Sequence, residues 1–386
     1  MATIRLHLPS QEPPGPDQAA SMSRENRSYD IVVGPGVIVG IGPALKAAAA
    51  SRALLIADAA VLETHAARVA ESLRSAGITT ESIAVPSGEA AKSLAQAGRL
   101  WDACARLAID RQTHVVAVGG GVVGDLAGFV AATFARGLPV WQVPTTVIAQ
   151  VDSGIGGKTG INLDAGKNLV GAFWQPRGVF ADIDVLATLP DREFASGFAE
   201  VVKYGMILDA GFFDWLEENA SRIMAREPSP LTAAVERSAA LKALVVERDE
   251  RETTGLRVAL NYGHTFAHAI ETVFGYGALL HGEAVAIGMA RAARLAAMLG
   301  RLPEAVVDRQ DRLLTLLSLP TALSAGLSAG INPTAEKPAA DALIDVMRRD
   351  KKSLAGRLRF VLPDRIGHVE LVDGIPETLV RRALGD

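Results

Sequence analysis

Short apolar runs alternate with stretches of helical periodicity along the first half of the chain. Strand-like runs are expected at residues 3–8, 29–33, 53–57, 79–85, 114–118 and 140–143, and helical stretches at 59–76, 91–107 and 122–134. Several of the strand candidates are continuously apolar and show no alternation with polar residues. Strands that are covered on both faces have this pattern, so it predicts a parallel sheet between helices.

The pattern changes near Pro190. From there to about residue 300 nearly every segment is long and helix-like, and only residues 357–362 and 368–371 near the end resemble short strands. The sequence therefore predicts an α/β domain over residues 1–188 and a mainly helical domain over residues 189–386. Residues 9–27, which are rich in Pro, Gln and Ser, are expected to form a flexible insertion between the first two strands.

Composition and charge narrow the class of protein. One cysteine, Cys104, in 386 residues excludes an internal disulfide. The 39 basic and 43 acidic residues nearly balance and aromatic residues make up 5%, so no nucleic-acid partner is expected. No signal-like segment is visible, and no apolar run approaches the ~20 residues of a membrane span. The expectation is a cytoplasmic protein that does not bind membranes.

The 37 glycines are the unusual feature of the composition, and several of them follow the strand candidate at residues 114–118. Gly119, Gly121 and Gly124 fit the G-x-G-x-x-G pattern of a dinucleotide-binding turn, whose backbone approaches a pyrophosphate at a helix N-terminus. The acid expected ~20 residues later for the ribose is missing, because the next strand ends in Pro-Thr-Thr. A glycine-rich turn without a ligand is the alternative; if NAD binds, other groups must hold its ribose.

A second glycine-rich segment runs from Asp152 to Thr159. It does not satisfy the phosphate-binding pattern G-x-x-x-x-G-K-[ST], because the position of the first glycine falls on Asp152. A flexible loop that presents Lys158, followed by Lys167 and Asn168, is expected instead. Two lysines near exposed backbone amides suit a phosphate or a carboxylate, although solvated loop lysines are the simpler alternative.

Three of the seven histidines lie between residues 264 and 281. His264 and His268 are four residues apart in a helical stretch and so share one face, as Glu200 and Lys203 do on an earlier helix. Two imidazoles with one carboxylate would make a three-ligand zinc site with an open position, although structural histidines are an equal alternative. Basic residues near these motifs indicate a small anionic substrate, with a solvated surface as the alternative for each.

Several long motifs, taken in order, resemble the 3-dehydroquinate synthase family. They are GGGVVGDLAGFVAATFARG, QVPTTVIAQVDSGIGGKTGIN, GKNLVGAFWQP, LPDREFASGFAEVVKYG, NYGHTFAHAIE and LHGEAVAIGM. The resemblance covers roughly residues 28–386. It implies a Rossmann-like α/β N-terminal domain and a mainly α-helical C-terminal domain with the active site in the cleft between them. It also implies a homodimer that uses NAD and Zn²⁺ (or Co²⁺) to convert 3-deoxy-D-arabino-heptulosonate 7-phosphate into 3-dehydroquinate and phosphate.

The resemblance also implies roles for individual residues. The metal ligands would be Glu200, His264 and His281. The residues that contact the cofactor would be Asp58, Glu89, Lys92, Gly120, Gly121, Asp125, Thr145, Thr146, Asp152, Ser153, Lys158, Lys167 and Thr188. The residues that serve the substrate and catalysis would be Arg136, Lys158, Asn168, Lys203, Lys242, Arg257, Asn261, His268 and Lys352, with Arg136 reaching the substrate phosphate, in its own or the neighbouring subunit.

One departure from the family pattern leaves a role open. An extra residue at Thr253-Thr254 obscures whether Glu250 or Glu252 fills the family's acidic position before Arg257. Alternative functions are another cyclase, acting on sedoheptulose 7-phosphate, a metal-dependent polyol dehydrogenase of related fold, or an inactive NAD-binding protein. The set of Lys242, Arg257, Asn261 and His268 favours the substrate that carries a carboxylate.

Overall fold

The structure is a computed structural model that describes residues 1–8, 27–164, 166–253, 255–275, 277–323, 340–349 and 358–385. The insertion predicted over residues 9–27 lies outside this part except for Arg27, and so do Thr254 and Lys352. The chain divides into two units. The first contains Met1–Thr188 and Lys242–Arg251, and the second contains Leu189–Leu241 and Glu252–Asp386. The short segment from Lys242 groups with the first unit, which a single boundary at residue 188 does not anticipate.

The first unit is an α/β structure. Its strands are β1 (Ala2–Leu6), β2 (Tyr29–Gly34), β3 (Arg52–Asp58), β4 (Thr79–Val85), β5 (His114–Gly119), β6 (Val140–Pro144), β7 (Lys158–Leu163), β8 (Gly166–Phe173) and β9 (Gly178–Asp182). Its helices are α1 (Ile41–Ala47), α2 (Ala67–Ser75), α3 (Leu94–Arg106) and α4 (Gly121–Thr133). A seven-stranded sheet has the order β1-β2-β9-β6-β5-β3-β4. Its pairs are parallel except for β1 with β2, so the predicted parallel sheet is confirmed.

The core of this unit explains the continuous apolar runs. Every residue of β5, β6 and β9 is buried, because helices cover both faces of the central sheet. The helix α4 is apolar on most of its circumference and packs among residues of β5, β6 and β7. Cys104 lies in the same cluster, and burial raises the pKa of its thiol to about 11.

The prediction of a flexible loop around Lys158 is wrong. Lys158–Leu163 and Gly166–Phe173 instead pair as the antiparallel strands β7 and β8, with Gly160 opposite Gly171. A Cβ atom on Gly171 would lie 2.2 Å from the Thr159 carbonyl oxygen, so the close approach of the strands requires glycine there. Because glycine is depleted in strands in general, the sequence of this segment did not predict a hairpin.

The second unit is mainly helical, as predicted. Its helices are α5 (Asp191–Leu208), α6 (Ala210–Met224), the first part of α7 (Pro228–Arg248), α8 (His264–Phe274), α9 (His281–Met298), α10 (Glu304–Leu316), α11 (Ala340–Arg349) and α12 (Glu377–Leu384). The strands β10 (Arg359–Arg365) and β11 (His368–Asp373) pair antiparallel. Among the described residues, no helix combines the length and the apolar character that crossing a bilayer would demand.

Candidate functional site

The first unit has a topological switch at the carboxyl ends of β3 and β5. The two strands are adjacent, yet the chain leaves β3 towards β4 on one side and leaves β5 towards β6 on the other. Open α/β sheets bind ligands in the crevice outside such strand ends. Asp58 is the last residue of β3, and its Oδ1 accepts a hydrogen bond from the Ala60 amide at 2.9 Å. An acidic residue therefore ends β3, whereas β6 ends in Pro144.

The glycine turn is packed closely against two predicted cofactor residues. Gly120 precedes α4, whose first amides are not bonded within the helix and face outwards from its N-terminus. A Cβ atom on Gly121 would lie 2.6 Å from Ser153 Oγ, and one on Gly120 would lie 3.2 Å from Thr146 Cγ2. Thr145 is buried beside the turn, and its amide donates to the Gly119 carbonyl at 2.9 Å. The close packing of Ser153 and Thr146 therefore favours glycine at both positions of the turn.

Lys92 is the centre of a polar cluster in the first unit. Its Nζ lies 2.7 Å from Asp125 Oδ2, 2.5 Å from Asn168 Oδ1 and 3.8 Å from Glu89 Oε1. Burial raises the pKa of the Asp125 carboxyl, and the charge of Lys92 opposes that shift. These four residues, all predicted to serve the cofactor or the substrate, are thus brought together from three separate segments.

Asn162 completes this cluster, although no sequence motif pointed to it. Its Nδ2 donates to Glu89 Oε1 at 2.8 Å, and its Oδ1 accepts from the Asn168 amide at 2.9 Å. Asn168 has a positive φ of 53°, a conformation that asparagine tolerates better than most residues. The bond from its amide to Asn162 fixes this unusual backbone.

Lys242 and Asp152 form a second ion pair, at 2.6 Å, although 90 residues separate them in sequence. Lys242 comes from the end of α7, which explains why that segment groups with the first unit. Lys158 is the first residue of β7 and is exposed, and Lys167 lies on β8 in a half-buried position. Thr188 Oγ1 lies 2.7 Å from Nε2 of His65. Burial lowers the pKa of His65.

Arg136 occupies a strained turn after α4. Both Ala135, with a φ of 48°, and Arg136, with a φ of 68°, adopt the left-handed conformation that non-glycine residues rarely take. The Arg136 side chain is exposed to solvent. Rare backbone conformations of this kind occur more often where a side chain must be presented in a particular direction.

In the second unit, three predicted metal ligands meet at helix positions. Glu200 lies on α5, and His264 and His281 are the first residues of α8 and α9. Glu200 Oε1 is 3.4 Å from His264 Nε2 and 3.7 Å from His281 Nε2, and the three donor atoms lie within 4.8 Å of one another. Bonds of ~2.0–2.1 Å in tetrahedral geometry would put ligand atoms roughly 3.4 Å apart. The donor types and their spacing therefore fit a Zn²⁺ ion.

The other ring nitrogen of each histidine has a partner that orients the ring. His264 Nδ1 lies 3.0 Å from the Tyr262 carbonyl oxygen, and His281 Nδ1 lies 3.4 Å from both carboxylate oxygens of Glu271. Such partners direct Nε2 towards a metal and raise its basicity. Glu271 was missed in the sequence, although its distance of seven residues from His264 places both on one helix face.

The electrostatics of the three ligands are dominated by burial and by mutual contact. Burial alone would raise the pKa of Glu200, but Lys203 and the two imidazoles outweigh it and hold this pKa well below its ordinary value. Burial lowers the pKa of His264 to about 4. Burial opposes charge on His281 as well, but Glu200 and Glu271 raise its pKa to about 9. At neutral pH the site therefore holds an ionised carboxylate and one neutral imidazole.

Three further predicted residues of the second unit lie on the short segment Leu256–Asn261, which leads into α8, and on α8 itself. Arg257 is 1% exposed, and its Nε lies 3.7 Å from Glu252 Oε1. Within this unit, Glu252 is thus the acid that faces Arg257, whereas Glu250 belongs to the first unit. Asn261 ends the same short segment, and the His268 ring lies 5.6 Å from that of His264.

Comparisons with known proteins identify the family of the chain. The N-terminal family model of 3-dehydroquinate synthase matches residues 82–196, and the C-terminal model matches residues 197–353. The chain is 47% identical over 376 residues to a 3-dehydroquinate synthase of Rhodopirellula baltica, covering 96% of this chain and 97% of the relative.

Two solved structures of other synthases are similar throughout. One is 2-epi-5-epi-valiolone synthase from Streptomyces hygroscopicus with NAD⁺ and Zn²⁺ bound (TM-score 0.82, 30% identity, 95% of this chain and 98% of that one). Another is 2-deoxy-scyllo-inosose synthase with carbaglucose-6-phosphate, NAD⁺ and Co²⁺ (TM-score 0.83, 26% identity, 99% of each chain). Identity to the dehydroquinate synthases is considerably higher than to either. The chain therefore belongs to the 3-dehydroquinate synthase family.

Proposed function

We propose that this chain converts 3-deoxy-D-arabino-heptulosonate 7-phosphate into 3-dehydroquinate and phosphate, as a carbon–oxygen lyase of the shikimate pathway. The observation that carries the proposal is the buried set of Glu200, His264 and His281, with Lys203 beside Glu200, in a member of this family. A binding protein without catalytic activity would have no need to bury a carboxylate, two imidazoles and an ammonium group together, since burial of charge costs stability.

Two groups of residues would hold the cofactors. Glu200, His264 and His281 would ligate Zn²⁺ or Co²⁺, since their donor atoms have the spacing of a tetrahedral site. The glycine turn and α4 would receive the NAD⁺ pyrophosphate, with Asp58 placed for a ribose hydroxyl. When bound, NAD⁺ would supply reversible hydride transfer and the divalent cation would supply Lewis acidity.

The chain's own charged groups would manage the anionic substrate. Lys158 and Lys203 would stabilise the negative charge that develops as phosphate leaves, because a fixed ammonium group needs no reorganisation at that moment. Arg136, which is exposed on its strained turn, would hold the phosphate by a bidentate contact. The other residues proposed to line the substrate site are Asn168, Lys242, Arg257, Asn261, His268 and Lys352.

The state of assembly and the location follow from the same proposal. We expect a homodimer, in which Arg136 serves the phosphate of its own or the neighbouring subunit. The proposed substrate and product are both charged and soluble in water, so we expect the enzyme in the cytoplasm.

The test is phosphate release from the purified protein. With NAD⁺ and Zn²⁺, 3-deoxy-D-arabino-heptulosonate 7-phosphate should release phosphate without net formation of NADH, and a chelator should stop the release. Sedoheptulose 7-phosphate, which lacks the carboxylate, is the matched control. Turnover of this control substrate alone would identify a different cyclase, and steady NADH formation from glycerol-type substrates would identify a polyol dehydrogenase.

A further inference from the structure

The turn that precedes Lys158 is fixed by contacts from two separate segments of the first unit. The Gly156 amide donates to the Tyr29 hydroxyl at 3.0 Å, and the Gly157 carbonyl accepts from the Trp174 amide at 2.7 Å. Gly156 and Gly157 both have positive φ angles, of 95° and 67°. The backbone immediately before Lys158 is thus held in a conformation that it would not keep by itself.

Gln175 lies directly over this turn. A Cβ atom on Gly157 would be 2.8 Å from Gln175 Cδ, and the Gln175 Nε2 donates to the Gly156 carbonyl at 3.4 Å. The same Nε2 donates to Glu250 Oε1 at 3.0 Å, and Arg27 donates to that oxygen at 2.5 Å. The side chains of Arg27 and Glu250 are 24% and 16% exposed, so the ion pair is largely shielded from water.

We propose that Gln175 and Glu250, with Arg27 behind them, are positioning residues for Lys158. Glu250 fixes the orientation of the Gln175 amide, and Gln175 fixes the glycine turn from which β7 begins at Lys158. This inference rests on the proposed role of Lys158 towards the anionic substrate. It also gives Glu250 a function distinct from that of Glu252, which pairs with Arg257.

The chain offers a matched control at the end of α7, shortly before Glu250. Glu247 lies three residues before Glu250, and its Oε1 accepts from the His7 amide at 2.6 Å. Glu247 therefore binds the N-terminal segment as Glu250 binds Arg27. Among the described residues, no contact of Glu247 reaches the glycine turn. A purely structural role for Glu250 would make the two variants behave alike.

The experiment compares Glu250→Ala, Gln175→Ala and Glu247→Ala by steady-state kinetics and by NAD⁺ titration. We expect kcat/KM for the heptulosonate phosphate to fall about tenfold in the first two variants, since a displacement of ~1 Å can cost more than that. Because Lys158 is also expected to contact the cofactor, NAD⁺ affinity should fall in these two variants as well, whereas Glu247→Ala should match wild type in both measurements. The double variant should be no worse than either single one, because both act through one contact. Glu250→Gln, which keeps an acceptor oxygen, should recover most of the loss.

Hydrogen exchange separates a failure of this inference from a failure of the proposed function. Amides in residues 154–160 should exchange faster in Gln175→Ala and Glu250→Ala than in wild type and Glu247→Ala, whatever the substrate is. Folded variants with unchanged exchange and unchanged kcat/KM would overturn the positioning role. Faster exchange in a protein whose wild-type form releases no phosphate would retain the positioning role and overturn only the function.

Discussion

At the scale of single residues, the metal site depends on groups that do not themselves touch a metal. Glu271 is buried and holds the outer nitrogen of His281, and the Tyr262 carbonyl does the same for His264. The carboxylate keeps the imidazole in one tautomer and orientation, so its removal should weaken binding even though all three ligands remain.

Glu271→Ala should therefore lower the affinity for Zn²⁺ by about 10–100-fold, and Glu271→Gln should lower it less. The measurement is a competitive titration against a metallochromic chelator, with metal content after gel filtration as a second readout. Glu200→Ala is the reference for complete loss of the metal. This variant should bind no stoichiometric metal and show no turnover, while its NAD⁺ binding stays largely intact. Glu304→Ala, which removes an exposed carboxylate at the start of α10, is the control. Wild-type affinity in Glu271→Ala would contradict the role of Glu271.

At the scale of elements, the packing of α9 against α8 sets the position of two ligands. A Cβ atom on Gly288 of α9 would lie 2.1 Å from the Gly263 carbonyl oxygen, just before α8 begins. Because the neighbour is backbone, it cannot rotate away. His264 and His281 begin these two helices, so their separation depends on this close approach.

Gly288→Ala should destabilise the protein by about 3 kcal/mol, the upper range for forced overpacking, and should also weaken Zn²⁺ binding. The control is Gly98→Ala in α3, where a Cβ atom would meet nothing within 4 Å. That substitution should stabilise the helix by roughly 0.5–1 kcal/mol and leave metal binding unchanged. Chemical denaturation and metal titration of both variants check the prediction; equal stability of the two would show that α9 shifts freely.

A titratable side chain, that of His114, lies where β5 pairs with β6. Trp141 Nε1 of β6 donates to His114 Nδ1 of β5 at 2.9 Å, so this nitrogen must remain unprotonated. Burial lowers the pKa of His114 to about 4, with the charge of Arg177 acting in the same direction. A folded-state pKa below the unfolded value means that the unfolded chain binds the proton more readily. Stability is then unaffected above pH ~7 and declines as the pH falls below ~6.5.

Between pH 7 and pH 5 this residue should remove about 2 kcal/mol from the free energy of unfolding. His114→Asn keeps an acceptor for Trp141 but cannot ionise, so its deficit relative to wild type at pH 7 should shrink by that amount at pH 5. The measurement is urea denaturation of wild type and variant at pH 7 and at pH 5. His7→Asn, which removes an exposed imidazole, is the control; a constant deficit for His114→Asn would contradict the assignment.

At the scale of the whole molecule, Arg136 tests the proposed assembly. We expect Arg136→Ala to raise KM for the phosphorylated substrate by about tenfold, since a charge-assisted bidentate contact is lost. If each Arg136 serves the neighbouring subunit, mixing Arg136→Ala with Glu200→Ala subunits should give sites with the wild-type KM, because one site of each hybrid dimer then has both groups intact. Mixed subunits that show only the raised KM of Arg136→Ala would place Arg136 in its own subunit's site.

The sequence by itself determined the classes of structure and the chemistry. Continuous apolar runs specified β3 and β5 because strands covered on both faces leave few polar positions. The spacing of His264, His268 and His281 allowed a metal site, and the family resemblance named its ligands. Local pattern could not reveal the hairpin of β7 and β8, since its glycines are required by a partner strand that only the fold supplies.

Only the tertiary structure decided which distant residues meet. The pairs Lys242 with Asp152 and Arg27 with Glu250 join positions 90 and 223 residues apart, and no periodicity encodes such distances. The sequence also left open whether Glu250 or Glu252 fills the family's acidic position before Arg257. In the structure Glu250 pairs with Arg27, whereas Glu252 pairs with Arg257, because folding brings a different arginine to each carboxylate.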